Sequence, residues 1–469
     1  MPSLSCSPTI TSKTRLSVSG NHPSAHLSSF CAKFITSTNT GHSEVLLLST
    51  DKPLTIGRGP TCSYVITEPV VSGLHCKLYA VTSSNGGVIV SCQDLSTNGI
   101  VLNGHRIRKA SVILMDGDIL QIPSSQKFEC VLLEREPKFR IHPFDPTPTK
   151  TGSPLKTKDI GRYALTSHCL GSGSFATVHL AMDSTANRQV ACKCIKRKGN
   201  DKIDKVKKEV DILAHLVHPN INAVCASISD ESFLYIFLEL CTGGDLFSYI
   251  TSKPQSQLCE GEAKYIMYQL LKGLKYLHDR MISHRGDSPQ PENILLYFPG
   301  PYPRIQIADF GLARPRGYQE TFNVCGTVSY LPPEGILALD NREMGYISMP
   351  ADCWSSGVIM GIHPFDYAKS PDESQQYSYE ASAEPYDEKR PQDGSGRSDA
   401  LVKQRIIHGS LHFPRQPWDS VPHARDLCSD LLVYEPDDRI TVQGALKSLW
   451  FTGELPDLET VYRARIGFV

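Results

Sequence analysis

The sequence contains no apolar run long enough to cross a membrane. Its best candidate, Phe233–Cys241, is short and includes Glu239, whereas a membrane-spanning helix needs about 20 apolar residues. The first 30 residues lack the apolar core of a signal peptide, are rich in Ser and Thr and contain no acidic residue. We therefore expect no membrane partner and a disordered tail over residues 1–34, with a mitochondrial transit segment as the alternative.

Neither sign of charge is in excess. Lys and Arg together number 48 and Asp and Glu number 49, a balance that gives no electrostatic case for a nucleic-acid partner. The fifteen cysteines include no Cys-x-x-Cys pair, so we expect reduced thiols in an intracellular protein. The 469 residues are enough for two or three domains.

Short apolar runs separated by Gly, Asn, Pro and Ser clusters occupy residues 31–135 and predict an all-β sandwich. The informative polar residues lie in its turns, at Gly57-Arg58, Ser72-Gly-Leu-His75, Ser96-Thr-Asn-Gly99 and Asn103-Gly104. An Arg provides a forked ionic contact and small hydroxyls provide short donors, so the turns predict a pocket for a phosphate dianion. The alternative, that the Asn-Gly pairs are only hairpin turns, leaves the Gly-Arg and Ser-x-x-His motifs unexplained.

This order of motifs resembles the forkhead-associated (FHA) domain, a reader of phosphothreonine peptides, over residues 35–135. The resemblance implies that His75 braces the loop that carries Ser72, and that phosphothreonine-containing proteins are partners. Gly73 stands where the family often has Asn, so one peptide contact is absent. The positions expected to bind the phosphothreonine peptide are Arg58, Ser72, Thr97 and Asn98.

A Pro-rich segment, residues 136–160, predicts a partly stiff linker. After it, a strand–turn–strand pattern contains Gly171 and Gly173, which allow backbone amides to approach phosphates. Lys193 follows in Val-Ala-Cys-Lys on a predicted strand, where its ammonium group can bridge two phosphates. Asp309 follows another predicted strand and begins Asp-Phe-Gly, a position that suits an Mg²⁺ ion held against ATP phosphates.

These motifs, followed by Pro332-Pro-Glu334, resemble a protein kinase domain over residues 161–451. The expected fold is therefore multidomain, an all-β FHA sandwich followed by an α+β bilobal kinase. The whole order resembles the FHA-containing checkpoint kinases of the DNA-damage response. That resemblance implies ATP and Mg²⁺ as cofactors, protein serine/threonine substrates, and a location in the nucleus and also the cytoplasm. The basic stretch Lys196–Lys208 is either a nuclear import signal or a solvated strand end.

The resemblance also assigns roles to individual residues. Lys193, held by Glu209, would anchor the phosphates, and Asp287 would act as the base. Asn293 and Asp309 would bind the metal, while Thr321 and Thr327 would be regulatory. The positions expected around ATP are Leu170, Gly171, Ser172, Gly173, Ser174, Phe175, Ala176, Thr177, Val178, Ala191, Lys193, Glu239, Cys241 and Asp245.

Two places depart from the kinase pattern. His284 and Asn293 are nine positions apart rather than seven, Gly286 occupies the place of the catalytic Asp, and Asp287 comes one position late. After Gly357 about five apolar residues of a core helix are missing, roughly 7 Å of helix. Two alternatives to an active kinase follow: an impaired scaffold that binds phosphothreonine partners, or an error in the coding sequence at both places.

The remaining expectations concern structure. Residues 367–400 are polar and predict a mobile insertion, and residues 452–469 are expected to form a C-terminal tail. The resemblance implies a buried ion pair between Glu334 and Arg439, and it implies that Asp352 braces the catalytic loop.

Overall fold

A computed structural model gives the structure of the chain. It describes residues 30–37, 43–82, 87–133, 157–172, 176–197, 210, 213–284, 290–309, 314–315, 328–340, 348–361, 395–409 and 411–466.

The N-terminal domain is a sandwich of two sheets. One has the strand order β2-β1-β11-β10-β7-β8 and the other β4-β3-β5-β6-β9. Alternating apolar residues from both sheets, such as Phe34, Ile56 and Phe128, are fully buried between them. The strands are β1 Phe30–Ser37, β2 Ser43–Ser49, β3 Leu54–Gly57, β4 Tyr64–Val65, β5 Cys76–Thr82, β6 Val88–Asp94, β7 Ile100–Leu102, β8 His105–Ile107, β9 Ser111–Leu114, β10 Ile119–Gln121 and β11 Lys127–Leu132.

The sandwich begins earlier than the sequence predicted. β1 starts at Phe30, so the expected disordered tail over residues 1–34 is wrong for its last residues. Cys31, Ala32 and Phe34 are buried, and β1 pairs with both β2 and β11. The apolar burial of this strand outweighs the cost of ordering it.

The second domain opens with a six-stranded antiparallel sheet in the order β12-β13-β14-β15-β17-β16. Its strands are β12 Lys158–Ile160, β13 Tyr163–Ser172, β14 Ala176–Asp183, β15 Arg188–Lys196, β16 Val224–Ser229 and β17 Phe233–Glu239. β12 lies inside the predicted linker 136–160. Ile160 is buried and pairs with Tyr163, which explains why this end of the linker is part of the sheet.

The larger lobe is mainly helical and is built around helix α2, Glu260–His278. The buried face of this helix includes Tyr265, Leu270 and Leu274. Short strand pairs lie beside it, β18 Ile282–Ser283 with β21 Arg314–Pro315 and β19 Ile294–Leu296 with β20 Ile305–Ile307. The helices of the described residues are α1 Leu246–Thr251, α2 Glu260–His278, α3 Pro333–Asp340, α4 Ser348–Gly361, α5 Ser395–Ile407, α6 Arg415–Trp418, α7 Pro422–Leu431, α8 Val442–Ala445, α9 Leu449–Thr452 and α10 Leu455–Ile466. Single 3₁₀ turns cover Pro254–Ser256, Pro291–Asn293 and Val328–Tyr330. Together the two domains confirm the predicted fold class.

Helix α4 is the element that the sequence predicted to be short. Its described residues are Ser348–Gly361. They form a buried core helix, because Trp354 and Val358 are almost fully inaccessible to solvent. A Cβ at Gly357 would lie 2.8 to 2.9 Å from side-chain atoms of Leu431 and Leu432. The glycine therefore lets α4 and the end of α7 approach closely, which anchors the shortened helix.

Two further expectations need correction in the larger lobe. Helix α5 begins at Ser395, inside the predicted insertion 367–400. The sequence also predicts a closing helix over Ile440–Phe451, but the structure has two short helices there. Thr441 caps the first, and the second begins after Ser448. Among the described residues, no helix combines the length and apolar content needed to cross a membrane, and the cysteines are free thiols.

The expected C-terminal tail, residues 452–469, is also wrong, because it contains helix α10 packed on α2. The Tyr462 hydroxyl donates a 2.7 Å hydrogen bond to the side-chain oxygen of Asn220, which is fully buried. The Tyr462 ring packs edge-on against Tyr268 and lies below the ammonium group of Lys272. Arg465 donates to the Pro301 and Tyr302 carbonyls. These polar and aromatic contacts are invisible to a hydrophobic-periodicity argument.

We predict that Tyr462→Phe lowers the free energy of unfolding of the kinase domain by about 1–3 kcal/mol, because the buried Asn220 oxygen loses its donor. All three tryptophans, at 354, 418 and 450, lie in this domain, so urea unfolding followed by tryptophan fluorescence reports it selectively. Val461→Ala, at a partly exposed position of the same helix, is the control and should change little. Equal stability of Tyr462→Phe and the parent chain would contradict the prediction.

Candidate phosphopeptide and nucleotide sites

The turns predicted to bind phosphothreonine meet at one edge of the sandwich. The Arg58 backbone amide donates to the Ser72 carbonyl at 2.8 Å, and the Thr97 amide donates to the Ser72 hydroxyl oxygen at 3.2 Å. Asn98 donates through its side chain to the Val70 carbonyl at 2.8 Å. The structure thus brings all four predicted residues together. The Ser72 hydroxyl can still donate to a further acceptor such as a phosphate oxygen.

Two buried contacts explain how these turns keep their shape. The Ser72 amide donates to Nδ1 of His75 at 3.1 Å, and Nε2 of His75 donates to the Gly99 carbonyl at 3.1 Å. His75 is fully buried, so the predicted bracing role is confirmed. The two bonds require a neutral ring with its proton on Nε2.

The other support is the close approach of two backbones. The Gly59 amide donates to the Gly73 carbonyl at 2.7 Å, and a Cβ at Gly59 would lie 2.8 Å from that oxygen. A Cβ at Gly57 would collide with the same carbonyl. The Gly-x-Gly spacing around Arg58 therefore has a steric reason that the phosphate argument alone did not give.

Arg106 is a residue of this site that sequence reasoning missed. It lies on β8 and donates to the Asn98 carbonyl through Nε at 3.1 Å and through a terminal nitrogen at 2.7 Å. Its positive charge sits beside the four predicted residues, on an exposed edge. Arg106 follows the Asn103-Gly104 turn closely in the sequence, so a cation near the site could have been predicted. Nothing in the spacing, however, distinguished Arg106 from the neighbouring Arg108.

Several of the predicted nucleotide residues lie on adjacent strands of the small lobe. Val178 on β14 is the register partner of Lys193 on β15, and Gly171 pairs with Val178 across the glycine-rich turn. The Lys193 ammonium group contacts the Asp309 carboxylate. This contact brings the predicted phosphate anchor and the predicted metal ligand together. Gly173, Ser174, Phe175 and Glu209 lie outside the described residues, so the Lys193–Glu209 pair stays a prediction.

The connection between the lobes is held by a network of buried amides. Asn222 donates to the Glu239 carbonyl at 2.9 Å and to the Gln306 side-chain oxygen at 2.8 Å. Gln306 donates to the Glu239 carboxylate at 2.5 Å and accepts from the Cys241 thiol at 3.1 Å. Glu239 and Cys241, two of the positions expected around ATP, lie at this connection, which we call the hinge, and are thereby tied to strand β20. Sequence reasoning missed Asn222 and Gln306, which carry no motif of their own.

Asp245, one of the positions expected around ATP, caps helix α1. One of its carboxylate oxygens accepts from the Ser248 amide and the other from the Ser248 hydroxyl, each at 2.8 Å. Burial raises the pKa of Asp245 despite these donors. Burial also raises the pKa of Glu292, with a smaller contribution from the Asp245 charge. The predicted contact of Asp245 with ATP stays a prediction.

The lengthened catalytic loop is anchored at both of its ends. On the entry side, the His284 amide donates to the Asp352 carboxylate at 2.9 Å, and Nε2 of His284 donates to the Ala308 carbonyl at 2.9 Å. His278 bonds the same Asp352 oxygen at 2.9 Å. On the exit side, the Asn293 carbonyl accepts from the Ala308 amide at 2.9 Å. The bracing role predicted for Asp352 is confirmed, while Asp287 lies outside the described residues.

The predicted metal ligands lie on adjacent backbone segments. The Ala308 amide donates to the Asn293 carbonyl at 2.9 Å, which places Asn293 beside Asp309. Asp309 has a φ of +59°, a left-handed conformation that is uncommon for a non-glycine residue and concentrates at functional sites. An amide oxygen and a carboxylate are the oxygen donors that Mg²⁺ prefers, so the residues present fit that ion.

The predicted ion pair between Glu334 and Arg439 is confirmed. The two guanidinium nitrogens contact the two carboxylate oxygens at 2.8 and 3.0 Å, and the Arg439 side chain is fully buried. This bidentate pair fixes the start of α3 to the segment before α8. The predicted regulatory residues Thr321 and Thr327 lie outside the described residues.

Comparison with known proteins agrees with this arrangement. Residues 165–451 match the protein kinase domain model, and residues 54–123 match the FHA domain model. The meiosis-specific serine/threonine-protein kinase mek1 of Schizosaccharomyces pombe is 31% identical over 448 residues, which cover 93% of this chain and 89% of mek1. This chain belongs to the FHA-containing checkpoint family of serine/threonine protein kinases.

Two further relatives are also named as protein kinases. The DNA damage response protein kinase DUN1 of Saccharomyces cerevisiae is 28% identical over 497 residues, covering 92% of this chain and 89% of DUN1. The probable serine/threonine-protein kinase fhkC of Dictyostelium discoideum is 31% identical over 413 residues, and the match spans 60% of its length. The predicted enzyme class, a protein serine/threonine kinase that binds ATP, is therefore confirmed. The impaired-scaffold alternative receives no support from relatives that are themselves named as kinases.

The neutral state of His75 makes the FHA domain sensitive to acid. Burial lowers the pKa of His75, opposed by the Gly99 carbonyl and by Asp94. Below the ordinary histidine pKa of about 6.5, this side chain binds a proton in the unfolded chain but stays neutral in the folded domain. The free energy of unfolding of the FHA domain therefore decreases as the pH falls. We predict that amide protection of residues 76–82, measured by hydrogen exchange, decreases more between pH 7 and pH 5.5 in the parent chain than in His75→Gln. His105→Gln, at an exposed position, should keep the parental slope, and identical slopes in all three proteins would contradict the prediction.

Proposed function

We propose that this kinase phosphorylates Ser and Thr residues of proteins in DNA-damage and cell-cycle checkpoint signalling, and that its FHA domain brings it to phosphothreonine-bearing partners. The relatives named for a DNA damage response and for meiosis support this setting. The observation that carries the proposal is the coexistence in one chain of two assembled sites, the exposed phosphopeptide turns and the kinase cleft. We propose the nucleus as the main location, with the cytoplasm as a second one.

In the proposed reaction, Lys193 would hold the α- and β-phosphates of ATP, and Asp309 and Asn293 would hold the metal. Mg²⁺, when bound, would neutralise charge on the β- and γ-phosphates. The amide network that joins Glu239 and Cys241 to β20 keeps the adenine-binding backbone in a fixed relation to Asp309. Catalysis of this type depends mostly on positioning and charge, which is what these contacts provide.

We assign the role of base to Asp287, which would orient the substrate hydroxyl and accept its proton. The loop that carries it is two residues longer than the kinase pattern, but its ends are fixed by His284 and Asn293. Because the cost of closing a loop rises only slowly with its length, two extra residues between anchored ends are tolerated. The longer loop is therefore compatible with a carboxylate near the substrate hydroxyl.

At the other site, the phosphate of a phosphothreonine would contact the Arg58 guanidinium and the Ser72 and Thr97 hydroxyls. The Asn98 side chain would hold the peptide backbone. Arg106 adds a further positive charge to this edge. The Arg58 side chain donates through Nε to the Val71 carbonyl at 3.2 Å, so its direction is fixed before the peptide arrives, which reduces the entropy lost on binding.

We predict that the purified full chain transfers labelled phosphate from ATP to a basic Ser/Thr peptide in the presence of Mg²⁺. Asp287→Asn should lower the rate by about 10² to 10⁴-fold, the usual contribution of a positioned base. Ser288→Ala is the matched control in the same loop and should keep activity, and Asp309→Ala provides the blank. Full activity of Asp287→Asn would remove Asp287 from the mechanism. No transfer by the parent chain, although nucleotide still raises its melting temperature, would favour the scaffold reading.

We predict that Arg58→Ala reduces affinity for phosphothreonine peptides at least about tenfold, since charge-assisted bonds to a dianion contribute about 1.5–3 kcal/mol. Isothermal titration of phosphorylated and unphosphorylated forms of a peptide library measures this directly. Lys52→Ala, an exposed cation elsewhere on the domain, controls for a general loss of positive charge. Unchanged affinity of Arg58→Ala would refute the phosphopeptide assignment.

A further inference from the structure

The FHA domain and the kinase domain contact one another through a paired hydrogen bond. The Gln189 side chain, at the start of β15, accepts from the Ile113 backbone amide at 2.7 Å. It also donates to the Ile113 carbonyl at 2.9 Å. One glutamine amide thus satisfies both backbone groups of a residue on β9, as a neighbouring strand would do.

Apolar side chains surround this polar contact. Ile113 and Met115 of the FHA domain form one buried cluster with Leu180 and Leu240 of the kinase domain. Each of these four side chains is less than a tenth exposed. Leu170 and Ala191, two residues predicted to line the ATP pocket, pack against the same cluster. The contact is therefore desolvated and continuous with the wall of the nucleotide site.

A second pair of contacts extends the interface to the larger lobe. Cγ1 of Val81, on β5 of the FHA domain, lies 3.0 Å from where Gly244 would carry a Cβ. The hydroxyl of Tyr79 lies 3.5 Å from the corresponding position of Gly300. Gly244 follows the hinge and has a φ of +79°, and Gly300 lies between β19 and β20. The FHA domain therefore touches the small lobe, the hinge and the larger lobe at once.

The phosphopeptide turns are not part of this interface. Arg58 and Thr97 are exposed while the two domains are in contact. The contacting residues come from β5, β9 and the turn that follows β9, whereas the predicted peptide ligands come from the turns after β3, before β5 and after β6. A phosphothreonine partner and the kinase hinge can therefore occupy the FHA domain together.

We propose that the FHA domain braces the kinase hinge and that Gln189 is a positioning residue for nucleotide binding. ATP binds between two lobes, and only some interlobe angles allow both lobes to contact it. Because the FHA domain touches both lobes and the hinge, it lowers the population of interlobe angles that do not allow ATP to bind. A larger fraction of molecules then has an angle at which both lobes can contact ATP. The inference rests on the proposed function only in assigning ATP to this cleft.

The test is the affinity of the full chain for a non-hydrolysable ATP analogue, measured with Mg²⁺ by isothermal titration. Gln189→Met keeps the length of the side chain and removes both hydrogen bonds. We expect it to weaken analogue binding about 3- to 10-fold, the effect of losing one or two such bonds, while the turnover rate at saturating ATP changes less than twofold. Lys196→Met, exposed at the far end of the same strand, should bind like the parent chain.

Two further measurements make the result decisive. Phosphothreonine-peptide affinity should be unchanged in Gln189→Met, which shows that the FHA domain is intact. Ile113→Lys places a charge in the apolar cluster and should separate the domains, seen as a larger radius of gyration in small-angle scattering, with a loss of analogue affinity at least as large. Analogue affinity equal to or tighter than that of the parent chain, with the domains separated, would overturn the proposal. Absence of phosphate transfer with normal analogue binding would instead count against the proposed function alone.

Discussion

The buried carboxylate of Asp352 is the constraint on which the kinase site depends. It accepts from the His284 amide and from His278, and it is almost completely inaccessible to solvent. Because His284 in turn holds the Ala308 carbonyl, the carboxylate fixes the entry to the catalytic loop and the backbone next to Asp309 together. A buried charge is costly unless its partners satisfy it, so the arrangement holds only while α2, α4 and β20 remain packed around it.

Several parts of this arrangement could be predicted from the sequence because they depend on short motifs. The His75 brace, the Glu334–Arg439 ion pair and the Asp352 brace each belong to a pattern that fixes which residue types meet. The two-domain order followed from motif spacing in the same way. What failed was the boundary of elements with no motif, such as β1, β12 and α5, where burial against distant strands or helices decides whether a segment is ordered.

The sequence could not predict the contacts between residues far apart in the chain. Gln189 and Ile113 are 76 positions apart, and Tyr462 and Asn220 are 242 positions apart. In each pair, a polar side chain bonds a backbone group or a side-chain amide. No sequence motif around either residue indicates the contact. Asn222 and Gln306 are of the same kind. Such residues become recognisable only when the fold shows that their polar atoms are buried and must find partners.

Asn220 connects several of these distant contacts to strand β20, which leads to Asp309. Its side chain donates to Gln269 and to the Ile305 carbonyl, and its own carbonyl accepts from the Ile307 amide. Two residues later, the Asn222 amide donates to the Ile307 carbonyl. Strand β20, which leads to Asp309, is therefore held on one side by the segment that contains Asn220 and Asn222. Tyr462 of α10 binds this segment at Asn220, and Asn222 joins it to the hinge. The hinge is itself in contact with the FHA domain. The position of Asp309, the predicted metal ligand, thus depends on elements from both domains and from the C-terminal helix.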